Sequence, residues 1–289
     1  VSAVAAGALA GALRTRPAGW LARELTVDPI AAALEADALL ERHHPDLAGP
    51  VRCLTTRYRS ATFTVGAPPH AVLKRHADKV AYLGERLAYD LLATDRVLPR
   101  LRGSCDHALT LITAYLPQAA DLTRQAVFDE LIETVVRVHT APARWDRPVV
   151  DAMAPWRIDA ALKEDTPWVR DSAAWRRMLS RVGAAHGPAH IPLGNLDLAP
   201  DHARRQADGR IALVDVETLR PDVTGLPDLV TLAYLAAEAG HSGAGPWVRT
   251  RYRHHQERAG GRWAERELVL ALVDFAEATG LQSLHGLDH

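Results

Sequence analysis

The chain has 289 residues, 48% hydrophobic and 24% charged, with a formal net charge of −1. That balance excludes whole-chain disorder and leaves no basic surplus for generic binding to nucleic acid or an anionic membrane. Two cysteines, Cys53 and Cys105, are too few for a disulfide framework and lack zinc-ligand spacing, so a reducing cytoplasm is the expected setting.

Val1 to Leu13 is an Ala-rich apolar run with no basic region before it; a bilayer span needs about 20 residues, so a buried helix is expected. Asp28-Pro29 then reads as a cap and first-turn proline for an amphipathic helix reaching His44, and Gly49-Pro50 ends that unit. From Val51 the pattern turns strand-like, in three runs reaching His76 with a turn at Gly66 to Pro69. A helix from Ala77 to about Ala93 carries Val80, Leu83, Leu87 and Leu91 on one stripe. Ala108 to Pro117 reads as a strand, Phe128 to His139 as a helix, and Trp156 to Val182 as further helices. A β-like stretch between Pro192 and Val216 turns at Asp208-Gly209, and from Leu226 the pattern is helical again.

Trp156, Trp168, Trp175, Trp247 and Trp263 fall in the helical part and read mostly as core. The pairs His43-His44 and His254-His255 are neighbours that cannot share a helix face, so they read as solvated. The pattern as a whole is a small β-rich unit followed by a larger helical one.

The chain holds 31 Arg but only three Lys, so Lys74, after the apolar Ala71-Val72-Leu73, is a candidate for work that needs a compact ammonium. The segment Asn195 to Glu217 places Asp197, His202 and Asp215 around a hairpin-like turn. Two carboxylates on opposite arms of a hairpin can converge, one orienting or deprotonating a hydroxyl and the other binding a divalent cation. The same residues also suit a plain structural role, with Asp197 and Asp201 as loop caps and Asp215 as a strand end.

This segment resembles the catalytic and metal-binding loops of the aminoglycoside phosphotransferase family, which shares the protein-kinase fold. N-L-D-L-A-P-D-H from Asn195 to His202 stands where that family has H-G-D-x-x-x-x-N, and Asp197 and Asp215 are separated by the family's eighteen residues. Glu217 and the stretch around Asp228 look like its continuation. Upstream, Ala71 to Lys74 resembles the third strand with its lysine, Glu85 stands on the next helix, Thr113 to Pro117 resembles the hinge, and Val138 to Pro142 resembles the helix end before the catalytic part. The likeness covers about residues 51–235.

The resemblance implies an α+β, two-lobed protein-kinase-like fold: a helical N-terminal extension over 1–50, a small antiparallel-sheet lobe with the hinge over 51–118, and a larger helical lobe over 119–289. It implies ATP with Mg2+, the γ-phosphate passing to a hydroxyl. Lys74 would grip the phosphates with Glu85 as its partner, and Asp197 would take the acceptor's proton, with Asn195 orienting the loop. His202 and Asp215 would bind the metal, an imidazole in place of the amide making Mn2+ acceptable. Ser60 and Thr62 would meet phosphate from a turn without a glycine-rich loop, and Ala114 and Leu116 would meet the base. Asn195-Leu196 replaces His-Gly, and Leu is a large change in a tight loop.

Arg249 to Arg258 (RTRYRHHQER) forms a basic cluster in the part that shapes acceptor binding in that family. It reads as a solvated face or, if turned to the cleft, as a surface that rejects polycations and suits a neutral or acidic acceptor. Ala and Arg excess with scarce Lys suggests a GC-rich bacterial gene, and hence natural-product tailoring, such as phosphorylation of Ser or Thr in a precursor peptide, or antibiotic resistance. The alternative is a catalytically inactive pseudokinase that binds a peptide or partner enzyme.

Overall fold

The computed structural model describes residues 24–163, 169–221 and 224–289; the apolar run at Val1 to Leu13 and Trp168 lie outside them. The first described helix, α1 (Pro29–His43), starts where Asp28 Oδ1 accepts the Ala31 N–H at 2.7 Å, with Pro29 in the first turn. Its buried stripe, Ala32, Ala36 and Leu40, repeats every four residues and packs with Phe63, Val65, Leu73 and Ile112 of the sheet. Arg75 donates to Glu35 at 2.8 Å and ties α1 to the third strand.

The strands β1 (Val51–Thr56), β2 (Ser60–Val65) and β3 (Ala71–His76) form the expected antiparallel meander. Alternation along β3 buries Ala71 and Leu73 under α1 and turns Val72, Lys74 and His76 to the opposite face. Helix α2 (Lys79–Leu91) follows, with Asp78 accepting from Val80 N at 2.7 Å and Ala81 N at 3.2 Å.

Two further strands complete a five-stranded sheet of order β1-β2-β3-β5-β4. The edge strand β4 (Leu101–Cys105) is an addition to the sequence reading, and β5 (Thr110–Ala114) is the run predicted after it. The sequence Leu-Arg-Gly-Ser-Cys has no apolar alternation, because an edge strand buries little. Its Gly103 falls at a register shift, where a Cβ would come within 2.8 Å of the His44 ring.

The rest is helical apart from one short hairpin. Helices α3 (Gln125–His139), α4 (Arg147–Ala152), α5 (Ile158–Ala161) and α6 (Ser172–His186) precede the hairpin β6 (Ala203–Arg205) and β7 (Ile211–Leu213). Helices α7 (Leu226–Glu238), α8 (Ala244–Arg258) and α9 (Glu265–Thr279) follow. One apolar cluster joins α3, α6, α7, α8 and α9 to the hairpin and reaches Tyr82 and Leu92 below the sheet. No helix among the described residues is long and apolar enough to cross a membrane.

Three local expectations change. Trp156, Trp175 and Trp263 are buried as expected, but Trp263 lies in the loop before α9, not on a helix. His255 is buried, 3.0 Å from Asp129 on α3, and is not solvated. The basic cluster, which is α8 itself, is largely neutralised internally. Arg251 donates to both oxygens of Asp129, Arg249 and Arg253 meet Glu265, and Tyr252 and Gln256 are buried. Those pairs hold the helix packing together, so α8 presents no free arginine array.

Candidate active site

Lys74 points from β3 towards α2 and the loop after β7, and meets three carboxylates. Its Nζ lies 3.0 Å from Glu85 Oε2 and 2.9 Å from Glu217 Oε2, and donates a short hydrogen bond to Asp215 Oδ1. Burial alone would lower the lysine pKa, but the charges of Glu85, Asp215 and Glu217 outweigh it and hold the ammonium well above its ordinary range. Glu85 is fully buried, which would raise its pKa, yet Lys74 first and then His76 bring it down to about 2. The Lys74–Glu85 pair expected from the sequence is therefore present, only eleven residues apart in the chain.

Glu217 was not among the predicted site residues, although the D-V-E spacing placed it two residues after Asp215. The segment 214–217 has no regular extended structure, so both acids turn to the same ammonium. His76 was missed as well. It is 2% exposed, with Nε2 3.0 Å from Glu85 Oε2 and Nδ1 3.4 Å from Glu217 Oε2, both off the hydrogen-bond direction. Donor atoms of His76, Glu85 and Glu217 lie within 4.8 Å of one another, close enough to share a cation, and the Lys74 ammonium already occupies that role. The sequence signal was K-x-H, which places both side chains on one sheet face.

Across the ladder Thr62 pairs with Lys74 and Ser60 with His76, so both hydroxyls share the Lys74 face. The β1–β2 turn is tight, Arg57 N–H reaching Ser60 O at 2.9 Å, and carries no glycine. At the hinge, Ala114 closes β5 with its N–H on the Arg100 carbonyl at 2.8 Å. Tyr115 N–H goes to His70 O at 3.2 Å, and Leu116 follows where the strand has ended.

The loop from Gly194 to His202 lies beside the segment after Asp215, bridged between Gly194 and Arg220. Asn195, Asp197 and Asp215 all have positive φ, at 69°, 50° and 61°. Such residues cost roughly 1–3 kcal/mol each, and three together need an over-determined setting. Asp228 of α7, 2% exposed, supplies much of it, accepting Asn195 N–H at 2.9 Å and Leu196 N–H at 2.7 Å. Behind it Gln256 Nε2 donates to Tyr252 Oη at 2.9 Å, Tyr252 contacts His139 Nδ1 at 2.8 Å, and His139 Nε2 contacts Asp228 at 2.9 Å. Tyr252 and Gln256 were read as part of a basic face, so sequence reasoning missed this buried chain.

Leu196 fits its place because its side chain is 1% exposed and joins the main core. Asn195 spends its side chain on the loop itself: Nδ2 donates to Thr218 O at 3.1 Å, and Thr218 Oγ1 returns a bond to Asn195 O at 2.8 Å. The Asp197 carboxylate, by contrast, is exposed and has no side-chain partner among the described residues. His202 Nδ1 donates to the Asp197 carbonyl at 2.8 Å, which leaves its Nε2 lone pair facing Asp215 Oδ2 at 3.8 Å. A carboxylate oxygen and an imidazole nitrogen whose tautomer is fixed by a backbone bond form a donor pair that suits a divalent cation.

No family model matches the sequence, and no curated protein matches it. Solved structures do match. Macrolide 2'-phosphotransferase MphH from Brachybacterium faecium is 17% identical over 84% of this chain and 88% of its own, with a TM-score of 0.53. A macrolide 2'-phosphotransferase type I is 18% identical over 91% of this chain and 97% of its own, with a TM-score of 0.51. Five antiparallel strands, a helical second part and these two matches establish one thing: the chain has the two-lobed, protein-kinase-like fold of these two phosphotransferase structures.

Proposed function

We propose that the chain is an ATP- and divalent-metal-dependent O-phosphotransferase. The observation that carries this reading is the convergence of Lys74, with Glu85 behind it, on Asp215, while the exposed Asp197 carboxylate stands on the loop that also brings His202 to Asp215. A binding module needs no such assembly, and positive-φ strain gathered at Asn195, Asp197 and Asp215 is the kind that clusters at functional sites.

In this reading Lys74 leaves Asp215 for the α- and β-phosphates, and Glu85 keeps it extended. Ser60 and Thr62, on the Lys74 face, offer hydroxyls to the phosphates, and the Ala114 carbonyl and Leu116 N–H meet the base. Asp215 and His202 Nε2 would hold Mg2+ or Mn2+, which when bound neutralises phosphate charge. Asp197 Oδ accepts the hydrogen bond of the acceptor hydroxyl, orients its oxygen towards the γ-phosphorus and takes its proton as the new P–O bond forms and the bond from the γ-phosphorus to the β–γ bridging oxygen breaks, ADP leaving. Asn195 holds the loop in register through Thr218 and touches neither substrate.

The acceptor we propose is a hydroxyl in natural-product tailoring, a Ser or Thr of a precursor peptide, or otherwise a small-molecule antibiotic. The macrolide hydroxyl acted on by the two matched enzymes is the first antibiotic class to try. Internal pairing of α8 withdraws the charge argument that favoured acidic peptides, so the choice rests on a screen of both classes. Calorimetric titration of ATP with and without Mg2+ tests the core of the proposal. Metal-dependent binding, followed by phosphoryl transfer that Asp197→Ala abolishes, is the expected result. Metal-independent binding without transfer would favour a pseudokinase, and no binding would overturn the nucleotide reading.

A further inference from the structure

Lys74 is ion-paired with three carboxylates at once, Glu85, Asp215 and Glu217. In a nucleotide complex of the kind proposed above, the ammonium turns to phosphate and Asp215 turns to the metal. Glu85, 4% exposed, and Glu217 then lose most of their common partner. A buried carboxylate without a neighbour is costly, and two of them meeting at one vacated point repel each other.

His76 is built into this gap. It stands two residues after Lys74 on the same sheet face, and its backbone N–H is fixed on Leu109 O at 2.9 Å. Its ring packs edge-on to Tyr82, with centroids 6.0 Å apart, so the imidazole has one place to be. Nε2 faces Glu85 and Nδ1 faces Glu217, at 3.0 and 3.4 Å, and neither nitrogen has another partner among the described residues. Both contacts lie off the hydrogen-bond direction while Lys74 sits between the two carboxylates; when it leaves, a ring nitrogen that carries a proton is placed to donate to the carboxylate it faces.

We infer that His76 is a positioning residue for phosphoryl transfer: it holds Glu85 and Glu217 apart and in place so that Lys74 can be released to the nucleotide without its support collapsing. This rests on the phosphotransferase reading. The nature of the role sets what replaces it. Gln carries a donor of similar reach and keeps at least one carboxylate contact, whereas Leu fills the volume with none.

The test compares the parent chain with His76→Leu, His76→Gln and Lys74→Met, by Mg·ATP calorimetry and by steady-state kinetics on whichever acceptor the screen yields. His76→Leu is expected to weaken Mg·ATP binding by roughly tenfold, the lower end of what losing a supporting contact behind a ligand costs. His76→Gln should recover most of that loss, and both variants should unfold thermally at similar temperatures. A merely structural histidine would lower the melting temperature without that Leu-to-Gln recovery. If Leu and Gln variants bind Mg·ATP as the parent does, or lose affinity equally, the positioning role is wrong. If the parent itself binds no Mg·ATP, the phosphotransferase reading falls first and this inference with it.

Discussion

Asp228 accepts the backbone N–H of Leu196 at 2.7 Å, across 32 residues of chain, and with its other oxygen takes the neighbouring N–H of Asn195. A single buried carboxylate thus fixes the segment that presents Asp197. The same oxygen that holds Asn195 faces His139 at 2.9 Å, so the loop is anchored through α7 to α3 and, by way of Tyr252, to α8. The loop that presents Asp197 is strained, with positive φ at Asn195 and Asp197, and three packed helices supply the rigidity that keeps it so.

Removing that carboxylate leaves two loop N–H groups and one imidazole without their partner inside the core. Asp228→Ala is therefore expected to destabilise the fold by about 3 kcal/mol or more, since each buried polar group left unsatisfied costs about 1 to 3 kcal/mol. Chemical unfolding of parent and variant measures it. A loss under about 1 kcal/mol, the worth of an ordinary exposed contact, would show that the loop does not depend on this anchor.

Asp197 presents the opposite case, an exposed carboxylate with no side-chain partner among the described residues. Nothing in the packing is lost when it changes, so Asp197→Asn should fold like the parent and bind Mg·ATP with unchanged affinity. Its kcat should fall by about 10^2 to 10^4, the usual worth of a general base. A variant that keeps kcat within a factor of three assigns the proton to another group. One that loses ATP affinity instead would place Asp197 in the nucleotide site.

Much of this arrangement was legible in the sequence, for definite reasons. Lys74 stood out as a rare lysine after an apolar run, whereas Asp197 and Asp215 stood out through the resemblance, which gave their eighteen-residue separation its meaning. Helix α1 was legible from Asp28-Pro29 and a four-residue apolar repeat, both local signals. What stayed hidden was whatever depended on the third dimension. Strand β4 carries no alternation because it is an edge. His76 and Glu217 acquire meaning only when β3, α2 and the loop after β7 meet at Lys74. The basic stretch on α8 misled because net charge along a segment says nothing about partners elsewhere, and Asp129 and Glu265 lie far from it in the chain or on the next helix.

His202 is expected to set the metal preference. With Nδ1 donating to the Asp197 carbonyl, Nε2 is the free donor facing Asp215. An imidazole favours Mn2+ over Mg2+ more than an amide oxygen does. His202→Asn should therefore lower the ratio of Mn2+- to Mg2+-supported activity, and His202→Ala should weaken both. Direct Mn2+ binding in the presence of ATP, followed by electron paramagnetic resonance, checks the same point without turnover. An unchanged Mn2+ affinity in His202→Ala would remove this residue from the metal site.

Acid stability depends on histidines that lie away from the Lys74–Asp215 site. His186 and His190 stack at 4.6 Å and line a cavity with His139, Tyr252, Gln256 and Trp263. Burial first, and then like charge on neighbouring histidines, lowers His186 to about 4 and His190 to about 3, from an ordinary 6.5. Below pH 6.5 the unfolded chain takes up protons that the folded chain refuses. Proton uptake is then greater in the unfolded state, so stability falls as pH falls through this window and stops falling only near the folded values. Between pH 6.5 and about 5 the ordinary carboxylates still hold their charge, and the slope there belongs to histidines. The parent should lose unfolding free energy steadily over that interval, and His190→Gln should flatten the loss. Urea titrations at several pH values measure both slopes. Equal slopes in parent and variant would mean that His190 takes up its proton as readily in the fold as outside it.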